Sequence, residues 1–189
     1  MLTFTTRSKL LILKLNVIQF ANIRTTMKEK QKIINYPSKN IKTETYKFGD
    51  TFVTKNYYDA KDAYVKEFIS EENGVKEIKH FTPKGVLAKL EHFVQDKRHG
   101  QEIKYLIAKA NKSIKSTKMY DSGKLHGENI TYNENAQIIK HEVYANGKLV
   151  LKYLREDSDS NDITSVEILS KENIENLPKI EYEKLQSYI

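Results

Sequence analysis

Aromatic residues recur at nearly constant intervals through the middle of the chain, and this period constrains the fold more than any other feature. Successive intervals are 13, 12, 12, 15, 12 and 12 residues, and six of the seven glycines fall at matching offsets between the aromatics. An internal period of this kind indicates one structural unit repeated along the chain. The aromatics are Phe68, Phe81, Phe93, Tyr105, Tyr120, Tyr132 and Tyr144.

A unit of twelve residues has room for one short strand and one turn. Several glycines follow Asn or Ser, and such pairs supply the positive φ that two-residue β-hairpins need. Ile130 and Tyr132 alternate with polar neighbours, which is typical of a half-buried strand. We therefore predict an all-β fold: an elongated, single-layer antiparallel meander of stacked β-hairpins, with a short helical or irregular C-terminal tail.

The repeat assigns a structural role to ring and glycine positions alike. We expect successive aromatics to stack across neighbouring strands, each pair contributing about 0.2–1 kcal/mol. The long interval between Tyr105 and Tyr120 lacks the glycine, which predicts a longer loop or a bulge there. The repeat positions are Phe81, Phe93, Tyr105, Tyr120, Tyr132, Tyr144, Gly100, Gly123, Gly127 and Gly147.

Composition divides the chain into three parts. Residues 1–39 form a basic N-terminal extension, residues 40–154 the repeat domain, and residues 155–189 an acidic linker and tail with nine acidic against four basic residues. Within the tail, residues 166–169 fit a brief strand or a turn of helix, and residues 179–188 are spaced for a short amphipathic helix.

The N-terminal extension leaves several interpretations open. No acidic residue precedes Glu29, and the apolar run at residues 10–15 is short and interrupted by Lys14. It is therefore either a poorly ordered extension, with Met27 as an alternative start, or a targeting segment. We expect a cytoplasmic protein, or a secreted or membrane-associated one if residues 1–26 are a targeting segment.

Composition excludes several classes of protein. Charged residues make up 30% of the chain, which is too polar for a polytopic membrane protein. The absence of cysteine excludes a disulfide framework, a thiolate zinc site and a cysteine nucleophile. The net charge of +7 permits acidic partners without requiring one.

The repeat resembles a known family. Residues 120–132, YDSGKLHGENITY, resemble the MORN-repeat variant, whose pattern is approximately aromatic-x-x-Gly-Lys-x-x-Gly-x-x-x-x-Tyr. Residues 93–105, FVQDKRHGQEIKY, are a second copy with Asp96 at the usual glycine position, and the resemblance covers residues 68–154. The layout is similar to that of the bacterial YwqK family of antitoxin-like proteins.

This resemblance implies a function in binding. In the YwqK family the repeats are thought to bind and neutralise a partner toxin, whereas MORN repeats elsewhere are associated with protein scaffolding and contact with anionic lipid. We therefore expect a non-catalytic protein-binding module that occludes an unidentified protein partner. The alternative is a peripheral membrane or scaffold protein that binds anionic lipid through a basic face.

No pattern in the sequence indicates an active site. His99 and His126 occupy the same repeat position, each before a glycine, which fits either a metal-binding or proton-transferring pair or a recurring turn residue. We favour the turn, because the same side chain recurs where the same turn recurs. No phosphate-binding loop or nucleophile elbow is present, so we predict that the protein is not an enzyme and needs no cofactor or metal.

Basic residues supply the candidate binding surface. Lysines interleaved with tyrosines suit a stacking surface for nucleic acid, but strands also expose lysine to prevent edge-to-edge aggregation, and we favour the second explanation. The surface that we predict for a partner consists of His99, His126, Lys104, Lys118 and Lys124.

Overall fold

The computed structural model describes residues 29–107, 112–154, 165–169, 176–177 and 183. These residues form thirteen strands joined by turns. The strands are β1 (Glu29–Asn35), β2 (Ile41–Phe48), β3 (Thr51–Tyr57), β4 (Val65–Glu72), β5 (Val75–Phe81), β6 (Leu87–Val94), β7 (Lys97–Arg98), β8 (Gly100–Ile107), β9 (Lys112–Asp121), β10 (Lys124–Tyr132), β11 (Ile138–Ala145), β12 (Lys148–Leu154) and β13 (Ser165–Ile168).

All thirteen strands belong to one antiparallel sheet. Each strand pairs with its neighbours in chain order, except that the two-residue β7 pairs only with β6, and β8 continues the sheet beside β6. The predicted fold class, a single-layer antiparallel meander, is confirmed.

The sheet is longer than the predicted repeat domain at both ends. It begins at Glu29, so residues 29–39, which the sequence analysis assigned to the N-terminal extension, form β1 and the first turn. The segment at residues 166–169 contributes to strand β13. The interpretation of residues 1–26 lies outside the described residues, and of the segment 179–188 only Glu183 is described. Among the described residues, no helix is long and apolar enough to cross a membrane.

One edge of the sheet, which we call the tight-turn edge, is made of two-residue turns. In four of them both residues have positive φ, as type I′ hairpin turns require. The turns also bond to one another, because the amides of Gln95, Gly123 and Gly147 donate to the carbonyls of Gly74, Arg98 and Leu125. The four turns are Asn73-Gly74, Gln95-Asp96, Ser122-Gly123 and Asn146-Gly147.

The opposite edge, the wide-loop edge, repeats a different turn. In residues 36–40, 82–86 and 133–137 the first amide donates to the last carbonyl, and the fourth amide donates to the first carbonyl. The fourth residue is left-handed each time, and a register shift lies in the strand before each turn. These are three-residue hairpin loops with a bulge. Because the two edges alternate, the true structural unit is a pair of twelve-residue segments.

The expectation that successive aromatics stack is wrong, because the chain reverses its direction from one repeat to the next. Consecutive repeats run in opposite directions, so positions twelve residues apart lie at opposite edges of the sheet. Tyr120 is opposite Gly100, and Tyr144 is opposite Gly127. The register therefore pairs each of these tyrosines with the glycine of a His-Gly pair.

Apolar burial is concentrated at the C-terminal end. The fully buried side chains belong to β11 and β12, Leu177 is part of the same cluster, and Val166 and Ile168 pack against it. Elsewhere most described side chains are half-buried or exposed, which is the consequence of a sheet with a single layer. The cluster consists of Val143, Ala145, Val150, Leu151, Tyr153 and Leu177.

Candidate binding face

Side chains alternate between the two faces of the sheet, so the strand register assigns each residue to a face. We name the faces after Glu91 and Leu90, which are adjacent on β6. Pairing of Leu90 with Ile103 places Glu91 beside Glu102 on the Glu91 face. The same row continues through Lys118 on β9 and on to β11. The row consists of Glu91, Glu102, Lys118, Asn129 and Glu142.

Two buried carboxylates lie side by side in this row. Glu91 and Glu102 are 6% and 4% exposed, and like charges opposite each other on a sheet are unfavourable. Two cations bridge them: Lys89 Nζ lies 2.8 Å from Glu91 and 3.2 Å from Glu102, and Arg98 lies 3.1 Å and 3.9 Å from them. His80 Nε2 adds a contact of 2.8 Å to Glu91.

We call His80, Lys89, Glu91, Arg98 and Glu102 the carboxylate–cation cluster. Burial raises the pKa of Glu91, but Lys89, His80 and Arg98 together hold that pKa below its ordinary value. The Glu91 carboxyl therefore stays ionised, and the cluster holds charges of both signs in fixed positions on an open face.

A polar chain extends the cluster toward the N-terminal strands. The Thr43 hydroxyl donates to Asn56 at 2.8 Å, and the Asn56 amide donates to Glu67 at 3.0 Å. Glu67 lies 3.3 Å from Nδ1 of His80, whose other nitrogen contacts Glu91. Hydrogen bonds and ion pairs thus join five consecutive strands, β2 to β6, on one face.

The structure divides the five predicted surface residues between two places. Lys104 and Lys118 lie on the Glu91 face, where Lys118 pairs with Glu102 in the register and Lys104 Nζ is 3.8 Å from that carboxylate. His99, His126 and Lys124 lie at the tight-turn edge.

Both histidines of the tight-turn edge contact the following turn. His99 Nδ1 lies 3.2 Å from Asp121, and the Asn146 amide donates to His126 Nδ1 at 3.3 Å. Each of the two histidines thus contacts a neighbouring turn at the same edge of the sheet.

Sequence reasoning missed the cluster itself. Its members Lys89 and Glu91 are two residues apart on β6, and its member Glu102 is two residues from Lys104 on β8. That spacing is visible in the sequence and places them on one face of each strand. Only the pairing register, however, reveals that the two acidic residues are neighbours.

The Leu90 face carries a second polar group near β5 and β6. His92 Nε2 lies 3.5 Å from Glu77, and the bond with His92 is the largest influence that lowers the Glu77 pKa to about 2. The same bond raises the pKa of His92, although burial and Lys79 oppose it, and the imidazole also contacts the Gln101 carbonyl.

We expect this pair to make stability depend on pH in two directions. Glu77 contributes stability above its ordinary pKa of 4.5 and loses it as pH falls through about 2. His92 contributes below its ordinary pKa of 6.5 and loses it as pH rises through its higher folded value. Because both side chains are about one-third exposed, we expect an effect of about 0.5 kcal/mol.

Urea unfolding at about pH 5.5 and about pH 8.5 measures this dependence. The variant His92→Gln should show a smaller loss of stability between the two values than the unmodified protein. An equal loss in both proteins would contradict the assignment to His92.

A shallow cleft of about 400 Å³ lies at the wide-loop edge between residues 39–41 and 60–63. At its base the Tyr57 hydroxyl donates to Glu44 at 2.7 Å, and burial and this carboxylate raise the pKa of Tyr57. Its loops are joined by Asp59, which accepts from Ser38 and Asn40. Across the described residues, no group of three or more His, Asp or Glu side chains is arranged to hold a metal ion.

Comparison with known proteins finds only distant structural matches. No protein-family model and no curated protein matches the chain. A mutant of S. aureus TarM, in complex with fondaparinux, α-GlcNAc-glycerol and UDP, is 16% identical over 71% of this chain and 24% of its own, with a TM-score of 0.36. The pneumococcal O-GlcNAc transferase GtfA, in complex with UDP and GlcNAc, is 13% identical over 74% and 22%, with a TM-score of 0.22.

These matches correct one prediction. Both proteins are glycosyltransferases, which contradicts the prediction that this protein is not an enzyme, and that exclusion is withdrawn. The chain spans about a quarter of the length of either structure. At TM-scores below 0.5 the matches assign no activity, substrate or site to it.

Proposed function

We propose that this protein binds a partner protein through the Glu91 face of the sheet. The observation that carries the proposal is the carboxylate–cation cluster, in which two buried carboxylates hold partly exposed cations in place on an open face. Fixed charges favour a partner of complementary charge and disfavour others, so they confer specificity and orientation more than affinity.

The size of the face supports a protein as the partner. Six neighbouring strands of about eight residues, from β4 to β10, present roughly 800 Å². This is about the area that one partner buries in a protein–protein interface of standard size. An open face of this kind suits occlusion of another protein's surface, the antitoxin-like mechanism that the YwqK resemblance implied.

The experiment is affinity capture from the native cell, using the full chain as bait. We expect one protein at stoichiometric level, and we expect the double variant Lys104→Glu with Lys118→Glu to weaken its binding by at least about tenfold. The matched control is Lys55→Glu with Lys79→Glu, which makes the same charge change on half-buried lysines that the register places on the Leu90 face.

Three outcomes would overturn the proposal: no stoichiometric protein partner, equal loss in both double variants, or full binding by the Glu91-face variant. Because Lys104→Glu brings a carboxylate near Glu102, the variant with glutamine at both positions serves as a second test without charge reversal. Thermal melts establish that each variant is folded.

Sedimentation with anionic vesicles tests the alternative that the sequence left open. Lipid docking through a basic face would fall steeply as ionic strength rises, because salt screens exposed charges. Strong sedimentation together with an absence of protein partners would favour the lipid function over the one proposed.

A further inference from the structure

The large apolar side chains that strands β5 to β9 expose all lie on the Leu90 face. Each of them is 36–55% open to solvent, and the strand register assigns each to the face of Leu90 rather than to that of Glu91. In the described residues of these strands, no apolar side chain of similar size is exposed on the Glu91 face. We call this set the apolar patch: Val75, Val94, Ile107, Ile114 and Met119.

A row without charge runs through the middle of the apolar patch. Leu90 on β6 pairs with Ile103 on β8. Ile103 pairs with Thr117 on β9, which pairs in turn with Ile130 on β10. On the opposite face the same strands carry the row of acidic and basic side chains that begins with Glu91. One face of these strands is therefore charged and the other is apolar.

The charged side chains at the border of the apolar patch neutralise one another. Lys79 on β5 is the next residue of the row beside Leu90, and its Nζ lies 2.7 Å from Glu77. Glu77 also contacts His92 at 3.5 Å. Pairing of this kind offsets part of the cost of removing charges from water. The patch can therefore be covered without leaving these charges unpaired beneath the cover.

The other end of the same face shows how the sheet buries apolar side chains. Ile130 pairs with His141, so Val143 and its partner Leu151 also belong to the Leu90 face, and both are fully buried. Leu177, which lies beyond the last strand, is part of their cluster. An apolar sheet face is stable when it packs against a second layer. The Leu90 face has the beginning of such a layer at β11 to β13, whereas the apolar patch on β5 to β9 is open to solvent.

We propose that the apolar patch is covered by the same patch of a second copy of the chain. The two sheets, related by a two-fold axis, would pack face to face about 10 Å apart and bury both patches in one core. The six strands from β4 to β10 present roughly 800 Å² on this face, as they do on the other. That is about the area that each partner contributes to a stable interface of standard size.

The chemistry of the face favours a second copy over an unlike protein. Interfaces between identical subunits are more apolar than transient interfaces, and their centres are poor in charged residues. Fixed charges select one foreign partner and exclude others, and in these strands they lie on the Glu91 face and not in the row from Leu90 to Ile130. The dimer would leave both Glu91 faces outward, but its formation does not depend on a partner for that face.

The test is sedimentation velocity of the full chain across a series of concentrations. We expect a species with twice the mass of one chain, which dissociates on dilution. The double variant Val94→Glu with Met119→Glu should weaken dimerisation at least about a hundredfold, because the interface would bury carboxylates that have no partners. Both positions are open to water in the single chain, so this variant should remain folded, which thermal melts establish.

The matched control is Ile34→Glu with Ile139→Glu. Both isoleucines are exposed, and they lie on β1 and β11, outside the apolar patch. The same change in charge at these positions should alter dimerisation less than about threefold. Equal weakening in the two double variants, or a dimer that survives the patch variant, would overturn the proposal. A monomer at every concentration would overturn it too, and would leave the patch to an unlike protein or a membrane surface.

A single introduced thiol locates the interface independently. The chain has no cysteine, so Met119→Cys and Ile139→Cys each provide one thiol for labelling with a maleimide. Labelling of Met119→Cys should slow as the chain concentration rises, whereas labelling of Ile139→Cys should not. Protection of Met119→Cys in a monomer would show that the same chain covers the patch, and full labelling of it in the dimer would place the interface elsewhere. Either result contradicts the proposal.

Discussion

Replacing Leu151 by alanine is expected to lower the free energy of unfolding by about 3 kcal/mol. Leu151 is fully buried, and its strand neighbours Val143 and Ile168 belong to or pack against the same cluster. Truncation leaves a cavity that the β-ladder on both sides prevents from collapsing. Urea unfolding monitored by circular dichroism measures the change.

The control for this prediction is Ile139→Ala on the adjacent strand β11. Ile139 is 60% exposed, so its truncation should change stability by less than about 0.5 kcal/mol. If the two variants lost equal stability, the C-terminal cluster would not be the principal apolar core of the sheet.

The prediction matters because a sheet with a single layer has few other sources of apolar stabilisation. Away from the cluster, the buried hydrophobic side chains in the described ranges are Tyr46 and Val53, at 7% and 8% exposure. The remaining strands depend on their ladders, on turn-to-turn hydrogen bonds and on polar contacts between side chains. Loss of the cluster should therefore lower the stability of the whole protein.

The sequence predicted the architecture because its period and its turn residues act locally. Asn73-Gly74 and Asn146-Gly147 can be assigned to tight turns without knowledge of the rest of the chain, and the interval of about twelve residues then requires a meander. Strand β1 escaped prediction because its sequence, EKQKIIN, has no alternation and all of its residues are exposed.

The arrangement of side chains could not be predicted in the same way. A period of twelve suggests that equivalent rings meet, yet the reversal of direction in each unit separates them and pairs Tyr120 and Tyr144 with glycines. Glu91 and Glu102 are neighbours only because of the register between β6 and β8. That register follows from the irregular connection through β7. Such register information is not local, so the site was predicted only in part.

Replacing Glu91 by alanine is expected to cost about 2 kcal/mol of stability. Its side chain is 8% exposed, and its carboxylate contacts His80, Lys89 and Arg98 within 3.1 Å. Removing one partner of a fully buried ion pair lowers stability by more, about 3–5 kcal/mol. Here the cations are 22–43% exposed and regain water, and loss of Glu91 also relieves its repulsion with Glu102.

Glu71→Ala is the matched control, since Glu71 is also an ion-paired glutamate on the Glu91 face. Its side chain is 44% exposed and 3.6 Å from Lys76, so its removal should cost less than about 0.5 kcal/mol. Glu91→Gln keeps an acceptor but loses the charge, and should fall between the two alanine variants. If Glu91→Ala lost no more stability than Glu71→Ala, water would stabilise the cations as well as the Glu91 carboxylate does. The cluster would then not be the rigid charged array on which recognition through this face depends.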